Sequence, residues 1–200
     1  EMQWSLVGSE MCIRDRQNAS VILPASYYDE PDRRYPVIFT IPGFGGDHYR
    51  AVVNNPVPEK NEGKVEFIRV MLDPSCPLGH HVFADSANNG PRGKALIEEF
   101  IPELDKKFRT IAKPSARFLT GHSSGGWSSL WVQVTYPEHF AGVWSTSPDP
   151  VSFLDFQRIN MYADGDNMYV DRKGQPRPLA RVRGQVLLWY CLLYTSPSPR

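Results

Sequence analysis

The chain has 200 residues, of which 41% are apolar and 22% are charged, and its 22 Lys and Arg residues balance its 22 Asp and Glu residues. This length and composition are typical of one soluble globular domain with a substantial hydrophobic core. A net charge of zero gives no reason to expect nucleic acid or an anionic membrane as a partner, and no apolar run is long enough to span a bilayer.

Both ends of the chain match the translation of a transposase-type sequencing adapter. The match covers 5–16, with 1–4 as a sample barcode in the same frame, and 191–200 matches the same element on the opposite strand. We therefore expect 1–16 and 191–200 to be adapter-derived and 17–190 to be the N-terminal fragment of a natural domain. Within that fragment Cys76 is the only cysteine, so it has no intramolecular disulfide partner.

Two early strands are predicted, at 19–24 and 35–42, and a glycine cluster follows the second. The uninterrupted apolar run at 37–41 is typical of a strand buried on both faces of a parallel sheet. The cluster Gly43-Phe44-Gly45-Gly46 lets backbone N–H groups approach a ligand. It indicates either a plain turn or, in an acyl-transfer enzyme, the second oxyanion donor, from the N–H of Phe44.

A further strand is predicted at 65–73, followed by a long loop at 74–92 that is rich in Pro, His, Asn and Gly. A loop of this length in a compact domain is usually functional, and this one could wall the acyl or alcohol pocket. Cys76 and the pair His80-His81 have an isolated Cys-x-x-x-His spacing with no second cluster, so we do not predict a zinc site. Residues 85–89 are predicted to form a polar turn.

The clearest helix is predicted at 93–108. Apolar residues recur there at helical spacing and define one buried face, at Leu96, Ile97, Phe100, Ile101, Leu104 and Phe108. Pro102 lies inside this pattern, so we expect a kink or a break near Ile101. The strands on either side make the helix a βαβ crossover that leads into the next strand.

Residues 119–126 have the pattern of a strand–turn–helix nucleophile elbow. Ser123 is flanked by Gly121 and Gly125 in a G-x-S-x-G sequence, and the sharp turn requires small residues at those two positions. The N–H of Ser124 would open the helix and point at a developing oxyanion, and Gly126 would let the helix pack close to the neighbouring strand. The alternatives are a plain Gly/Ser-rich loop, or Ser124 as nucleophile with a histidine in place of the first small residue.

The chain after the elbow contains fewer regular patterns. A strand is predicted at 141–146, a hairpin at 167–177 with its turn at Lys173-Gly174, and another strand from Gln185 onward. The acidic residues at 164–167 have a weak similarity to a calcium-binding loop. Their spacing does not fit the full pattern, so a polar turn is preferred.

Several of these segments together resemble the esterase family of α/β-hydrolases that includes esterase D (S-formylglutathione hydrolase), enterochelin esterase and feruloyl or acetyl-xylan esterases. The segments that carry the resemblance are 43–46, 100–110, 121–126 and 136–142. The resemblance implies an α/β-hydrolase fold, a mostly parallel sheet with helices on both faces, incomplete on its C-terminal side. It also implies serine-dependent hydrolysis of a small-molecule or carbohydrate-linked ester, with no cofactor or metal. It assigns Ser123 as the nucleophile and the N–H groups of Phe44 and Ser124 as the oxyanion hole.

The rest of the expected catalytic triad is missing. In such enzymes the serine is followed by the acid and then by the histidine, but only His139 follows Ser123 here, and the resemblance places it at a structural helix end. We expect the catalytic histidine and the acid to lie beyond this fragment, with Asp149 as a second candidate acid, and the fragment to be inactive as it stands. The alternatives are another α/β-hydrolase activity, such as a peptidase or an acyltransferase, and a non-catalytic esterase-like binding module.

Overall fold

The computed structural model describes residues 2–6, 17–53, 65–77, 79–156 and 158–189. The chain divides into two compact units, Glu1–Asp149 and Pro150–Arg200. Most of the adapter-like sequence, at 7–16 and 191–200, lies outside the described residues. The adapter origin of the ends and the domain boundaries at 17 and 190 therefore stay predictions.

The first unit is built on one six-stranded sheet. Its strands are β1 (Met2–Leu6), β2 (Gln17–Ile22), β3 (Val37–Ile41), β4 (Ile68–Leu72), β5 (Arg117–His122) and β6 (Gly142–Thr146). Their order across the sheet is β1-β2-β4-β3-β5-β6. The three pairs from β4 to β6 are parallel, and the two pairs that involve β2 are antiparallel. The fold is therefore a mostly parallel α/β sheet, as predicted.

The strand β1 lies in the stretch that the sequence analysis left out of the fold. It pairs antiparallel with β2, with Met2 opposite Val21 and Leu6 opposite Gln17. The adapter origin of this stretch stays a prediction, and the pairing uses the backbone groups at the free edge of β2.

The core of this unit lies on one face of the sheet. Val37, Phe39 and Ile41 of β3 are fully buried, whereas Ile38 and Thr40, which point to the other face, are only half-buried. The prediction that this strand is buried on both faces is therefore wrong. A groove of about 510 Å³ lies against the strands there, lined by Ile38, Phe67, Phe118, Leu119, Thr120, Gly142, Val143 and Trp144.

Apart from two single 3-10 turns, three helices accompany the sheet in the part of the chain that the structure describes. They are α1 (His48–Val53), α2, which runs from Arg92 to Lys107, and α3 (Ser124–Thr135). The six apolar residues predicted to form the buried face of α2 and its end are all at most 5% exposed, which confirms that face. Within the described ranges, none of the helices is long and apolar enough to cross a bilayer.

The predicted irregularity in α2 is present as a π-helical turn. The helix is α-helical over Arg92–Ala95 and Ile101–Lys107 and π-helical over Leu96–Phe100. The N–H of Ile101 reaches back five residues to the carbonyl of Leu96. Because Pro102 lacks an N–H and its ring crowds the preceding turn, widening that turn lets the helix continue on the same apolar face.

The second unit contains two hairpins. In the first, Val170 bridges to Pro176, and the turn is closed by the N–H of Gly174 on the carbonyl of Asp171 at 2.9 Å, which confirms the predicted hairpin. The second joins β7 (Pro178–Val182) and β8 (Gln185–Trp189). The sequence predicted β8 but missed β7.

The acidic residues at 164–167 belong to the same unit. The carboxylate of Asp166 accepts hydrogen bonds from the Arg177 guanidinium at 2.6 Å and from the N–H of Asn160 at 3.1 Å. Both of its oxygens thus have protein donors, which is the arrangement of a polar turn.

Candidate active site

The backbone at Ser123 has the strain expected of a nucleophile elbow. The residue lies between β5 and α3 with φ 56° and ψ −126°, a backbone conformation that residues other than glycine rarely adopt. Its N–H donates to the carbonyl of Thr146 at 3.1 Å, and its own carbonyl accepts the N–H of Trp127 at 3.0 Å. The flanking strand and helix therefore hold the strained turn in place.

The glycines around Ser123 allow three close approaches. A Cβ atom at Gly121 would lie 2.1 Å from the carbonyl oxygen of Gly125, and one at Gly125 would lie 2.0 Å from that of Ile41. A Cβ atom at Gly126 would lie 2.9 Å from the carbonyl oxygen of Thr146 in β6. These distances confirm both the need for small residues beside Ser123 and the close packing of Gly126 on the neighbouring strand.

The start of α3 and the turn that carries Phe44 both lie beside Ser123. Ser124 is the first residue of α3, so its N–H has no acceptor within the helix. The glycine cluster after β3 forms a turn, closed by the N–H of Gly46 on the carbonyl of Gly43 at 2.9 Å. A Cβ atom at Gly43 would lie 3.4 Å from that of Ser123, so this turn, which carries Phe44, lies directly against the elbow.

The long loop after β4 borders this site. It contains two short antiparallel ladders, Ser75–Cys76 with Gly79–His80 and Asp85–Ser86 with Gly90–Pro91. The ring of Phe44 is 62% exposed, and it packs on the backbone of Gly79, where an added Cβ would lie 2.7 Å from the ring. The loop therefore forms part of the wall beside the predicted oxyanion hole.

His80 connects this loop to β3. Its Nε2–H donates to the carbonyl of Pro42 at 3.0 Å, and its Nδ1 accepts the N–H of Val82 at 3.0 Å. Only the neutral ring can do both, because Nδ1 must keep its lone pair. Burial lowers the pKa of His80. This effect outweighs those of the Pro42 carbonyl and the carboxylates of Asp149 and Asp73, which raise the pKa. The spacing of His80 in the sequence suggested only a metal ligand, and its contact with Pro42 was not predicted.

Asp149 contacts the hydroxyl groups of both Ser123 and Ser124. The Ser123 hydroxyl lies 3.4 Å from Asp149 Oδ1, and the Ser124 hydroxyl donates to Asp149 Oδ2 at 2.5 Å. A triad acid contacts the imidazole, which stands between it and the serine. The observed contact is therefore not that of a triad acid, and it does not support Asp149 as the second candidate for that role.

The other histidines have partners elsewhere. His48 Nδ1 lies 2.9 Å from Asp73, His122 Nδ1 lies 3.2 Å from Thr146 Oγ1, and His139 lies 3.2 Å from Glu138. Across the part of the chain that the structure describes, no histidine forms a hydrogen bond with the Ser123 hydroxyl. The structure thus brings together Ser123, Ser124 and the turn at 43–46, but no described imidazole is hydrogen-bonded to the Ser123 hydroxyl.

A known protein family matches this chain. The model of the family described as "Putative esterase" matches residues 11–174, which is most of the chain. The chain belongs to this esterase family. The match includes the elbow, the glycine turn and the long loop, so the resemblance predicted from the sequence is confirmed.

Two curated relatives of this chain are known from Mycobacterium tuberculosis: Esterase MT1326 (strain CDC 1551 / Oshkosh) and Esterase Rv1288 (strain ATCC 25618 / H37Rv). Each is 27% identical over 158 residues, which cover 78% of this chain and 34% of the relative. The chain therefore spans about a third of the length of the curated relatives it matches.

Solved structures similar to this chain include the ferulic acid esterase AmCE1/Fae1A of Anaeromyces mucronatus, with TM-score 0.56, 21% identity, and coverage of 74% of this chain and 59% of that one. An S-formylglutathione hydrolase of Agrobacterium tumefaciens has TM-score 0.56, 18% identity, and coverage of 76% and 59%. At these identities the likeness shows the fold, which is that of the α/β-hydrolase esterases.

The burial of His81, next to His80 in the long loop, predicts that the protein loses stability in acid. His81 is 2% exposed, and its Nδ1 accepts the N–H of Phe83 at 3.2 Å. Burial, reinforced by the positive charge of Arg92, lowers the pKa of His81 from 6.5 to about 4. At pH values between about 4 and 6.5, His81 is protonated in the unfolded chain but neutral in the folded chain, so the free energy of unfolding decreases as the pH falls. Across this range the free energy of unfolding decreases by about 3 kcal/mol.

Urea unfolding at pH 7.5, 5.5 and 4 checks this expectation. Carboxylates titrate in the same range, so the comparison is with His81→Gln, which lacks the titrating ring. The gap in unfolding free energy between the two proteins should narrow as the pH falls below 6.5. A gap that stays constant with pH would show that His81 does not contribute to the acid sensitivity.

Proposed function

We propose that this chain carries the nucleophilic half of a serine carboxylic-ester hydrolase, with Ser123 as the nucleophile. The observation that carries the proposal is the strained backbone of Ser123, at φ 56° between β5 and α3, with glycines on both sides. Such a turn exposes the serine hydroxyl at the carboxyl edge of the sheet, next to backbone donors. Membership of the esterase family supports the same reaction class.

The reaction proceeds through an acyl-enzyme. The Ser123 oxygen attacks the ester carbonyl as its proton passes to a general base, and the N–H groups of Phe44 and Ser124 stabilise the oxyanion that forms. Collapse of this intermediate breaks the bond to the alcohol, which leaves with the proton from the base. Water, deprotonated by the same base, then attacks the acyl carbon; the bond to Ser123 Oγ breaks, the acid is released, and the base returns the proton to Oγ. We propose that the base is a histidine of the full-length protein, because no described histidine contacts Ser123.

We propose that the substrate is a small-molecule or carbohydrate-linked ester. We also propose that the reaction uses neither a metal nor an organic cofactor. Nucleic acid and membrane surfaces are not proposed as partners, since the chain has no net charge. The exposed ring of Phe44 beside the elbow offers an apolar contact to such a substrate.

A fluorophosphonate probe tests the nucleophile on the full-length protein. Attack by an activated serine displaces fluoride and leaves the phosphonyl group on Oγ. We expect one label per chain, which peptide mass spectrometry locates at Ser123, together with hydrolysis of short-chain aryl esters. A label confined to another residue would contradict the assignment of Ser123.

A non-catalytic binding module is the second candidate. The observation that favours it is the absence of a hydrogen bond from any described histidine to Ser123. A full-length protein that folds cooperatively, yet neither reacts with the probe nor hydrolyses aryl esters, would establish this alternative.

A further inference from the structure

The carbonyl of Pro42 lies at a junction between three parts of the site. Pro42 directly follows β3 and precedes the turn at 43–46, and a Cβ atom at Gly125 would lie only 2.5 Å from the Pro42 carbonyl oxygen. The same oxygen accepts the Nε2–H of His80 at 3.0 Å. One peptide group thus links the β3 turn, the elbow helix and the long loop after β4.

We propose that His80 is a positioning residue for the oxyanion hole. By donating to the Pro42 carbonyl it fixes the Pro42–Gly43 peptide plane, and through that plane the direction of the Phe44 N–H. This inference rests on the proposed function, because it takes Phe44 as an oxyanion donor.

The turn needs an external brace because three of its four residues are glycines. Glycine restricts its own backbone least, and Gly45 adopts φ 72°, which few other residues tolerate. The Pro42 carbonyl and the Gly43 N–H share one rigid plane, so a bond that fixes the carbonyl also fixes the start of the turn. The Gly46-to-Gly43 hydrogen bond then transmits that orientation across Phe44.

His80 is itself held firmly enough to act as the brace. The N–H of Val82 donates to its Nδ1, which sets the tautomer that carries the proton on Nε2. On either side of it, Gly79 pairs with Cys76 and packs under the Phe44 ring, and the N–H of His81 donates to the carbonyl of Pro74 at 2.9 Å. The loop therefore contacts the turn and the residue before it at two points, the Phe44 ring and the Pro42 carbonyl.

Two substitutions in the full-length protein separate positioning from simple packing. His80→Phe keeps a ring but removes the donor, whereas His80→Gln keeps an N–H donor in the place of Nε2. We expect His80→Phe to lower kcat for a short-chain aryl ester about 10- to 100-fold with KM nearly unchanged, as for a displaced oxyanion donor. His80→Gln should recover most of that loss. His139→Gln, which replaces a histidine outside the site, should behave as wild type.

A second readout does not depend on activity. The N–H of Gly46 closes the turn, and its hydrogen exchange reports whether the turn is held. Mass spectrometry of peptides spanning 42–47 should show faster exchange in His80→Phe and wild-type exchange in His80→Gln, while peptides of α2 stay unchanged.

The outcomes distinguish this inference from the proposed function. Unchanged exchange at 42–47 in His80→Phe, or a failure of His80→Gln to restore it, would overturn the positioning role even if Ser123 proves to be the nucleophile. If the turn loosens as expected but kcat does not fall, the role in the oxyanion hole is overturned. Hydrolysis that survives Ser123→Ala would instead refute the proposed function, and the exchange data would still decide whether His80 braces the turn.

Discussion

Replacing Ser123 with alanine should lower ester hydrolysis by the full-length protein by about 10⁴-fold or more, the usual cost of losing a catalytic nucleophile. Alanine removes only Oγ and leaves the strained turn, the helix and both backbone donors in place. The expected loss is therefore one of kcat, with the melting temperature close to that of wild type. Steady-state kinetics with a short-chain aryl ester and a thermal melt of the same sample measure the two quantities.

Ser124→Ala is the matched comparison, because it removes a hydroxyl one residue away. It keeps the N–H that we assign to the oxyanion hole and loses the hydrogen bond to Asp149. The expected reduction in activity is about tenfold or less, the value of one hydrogen bond. If Ser124→Ala were inactive and Ser123→Ala active, the nucleophile would be Ser124, the alternative that the sequence left open.

Gly125→Ala is expected to be the most destabilising single change at the elbow, at more than about 4 kcal/mol. The added Cβ would lie 2.0 Å from the carbonyl oxygen of Ile41 and 2.5 Å from that of Pro42. Both obstacles are backbone atoms of the sheet, so the overlap is relieved only by moving α3 away from β3. That movement would open the fully buried core between them.

Urea unfolding of Gly125→Ala and Gly142→Ala tests this expectation with the same chemical change at two sites. A Cβ at Gly142 in β6 would have no atom within 4 Å, and the residue does not have a positive φ. Its substitution should change the unfolding free energy by less than about 1 kcal/mol. Near-wild-type stability of Gly125→Ala would mean that the close approach of α3 to β3 is not as the structure has it.

The elbow was predictable because its constraints are local. A serine at positive φ between a strand and a helix needs small residues at fixed offsets, so Gly121 and Gly125 identify the turn from the sequence alone. The buried face of α2 was equally readable, since helical spacing determines which residues share a face. Pro102 indicated that this helix would be irregular, but the form of the irregularity depends on how the core holds Ile101 in place.

The contacts that complete the site were not predictable in the same way. His80 and Pro42 are 38 residues apart, and Asp149 and Ser123 are 26 apart. They meet because the carboxyl ends of parallel strands in one sheet share an edge. The shared edge brings the loops together but does not determine which atoms of the loops face each other. The strand β1 was missed because its residues were assigned to an adapter, and β7 because its sequence has little apolar alternation.

The positive φ of Ser123 also has a thermodynamic consequence. A residue held in such a conformation costs about 1–3 kcal/mol, which is a considerable part of the 5–15 kcal/mol that typically separates folded from unfolded chains. Glycine would adopt the same turn without that cost, because it tolerates positive φ. A screen of this domain for heat resistance alone would therefore favour losing the hydroxyl at this very position, so thermal tolerance and reactivity have to be selected together.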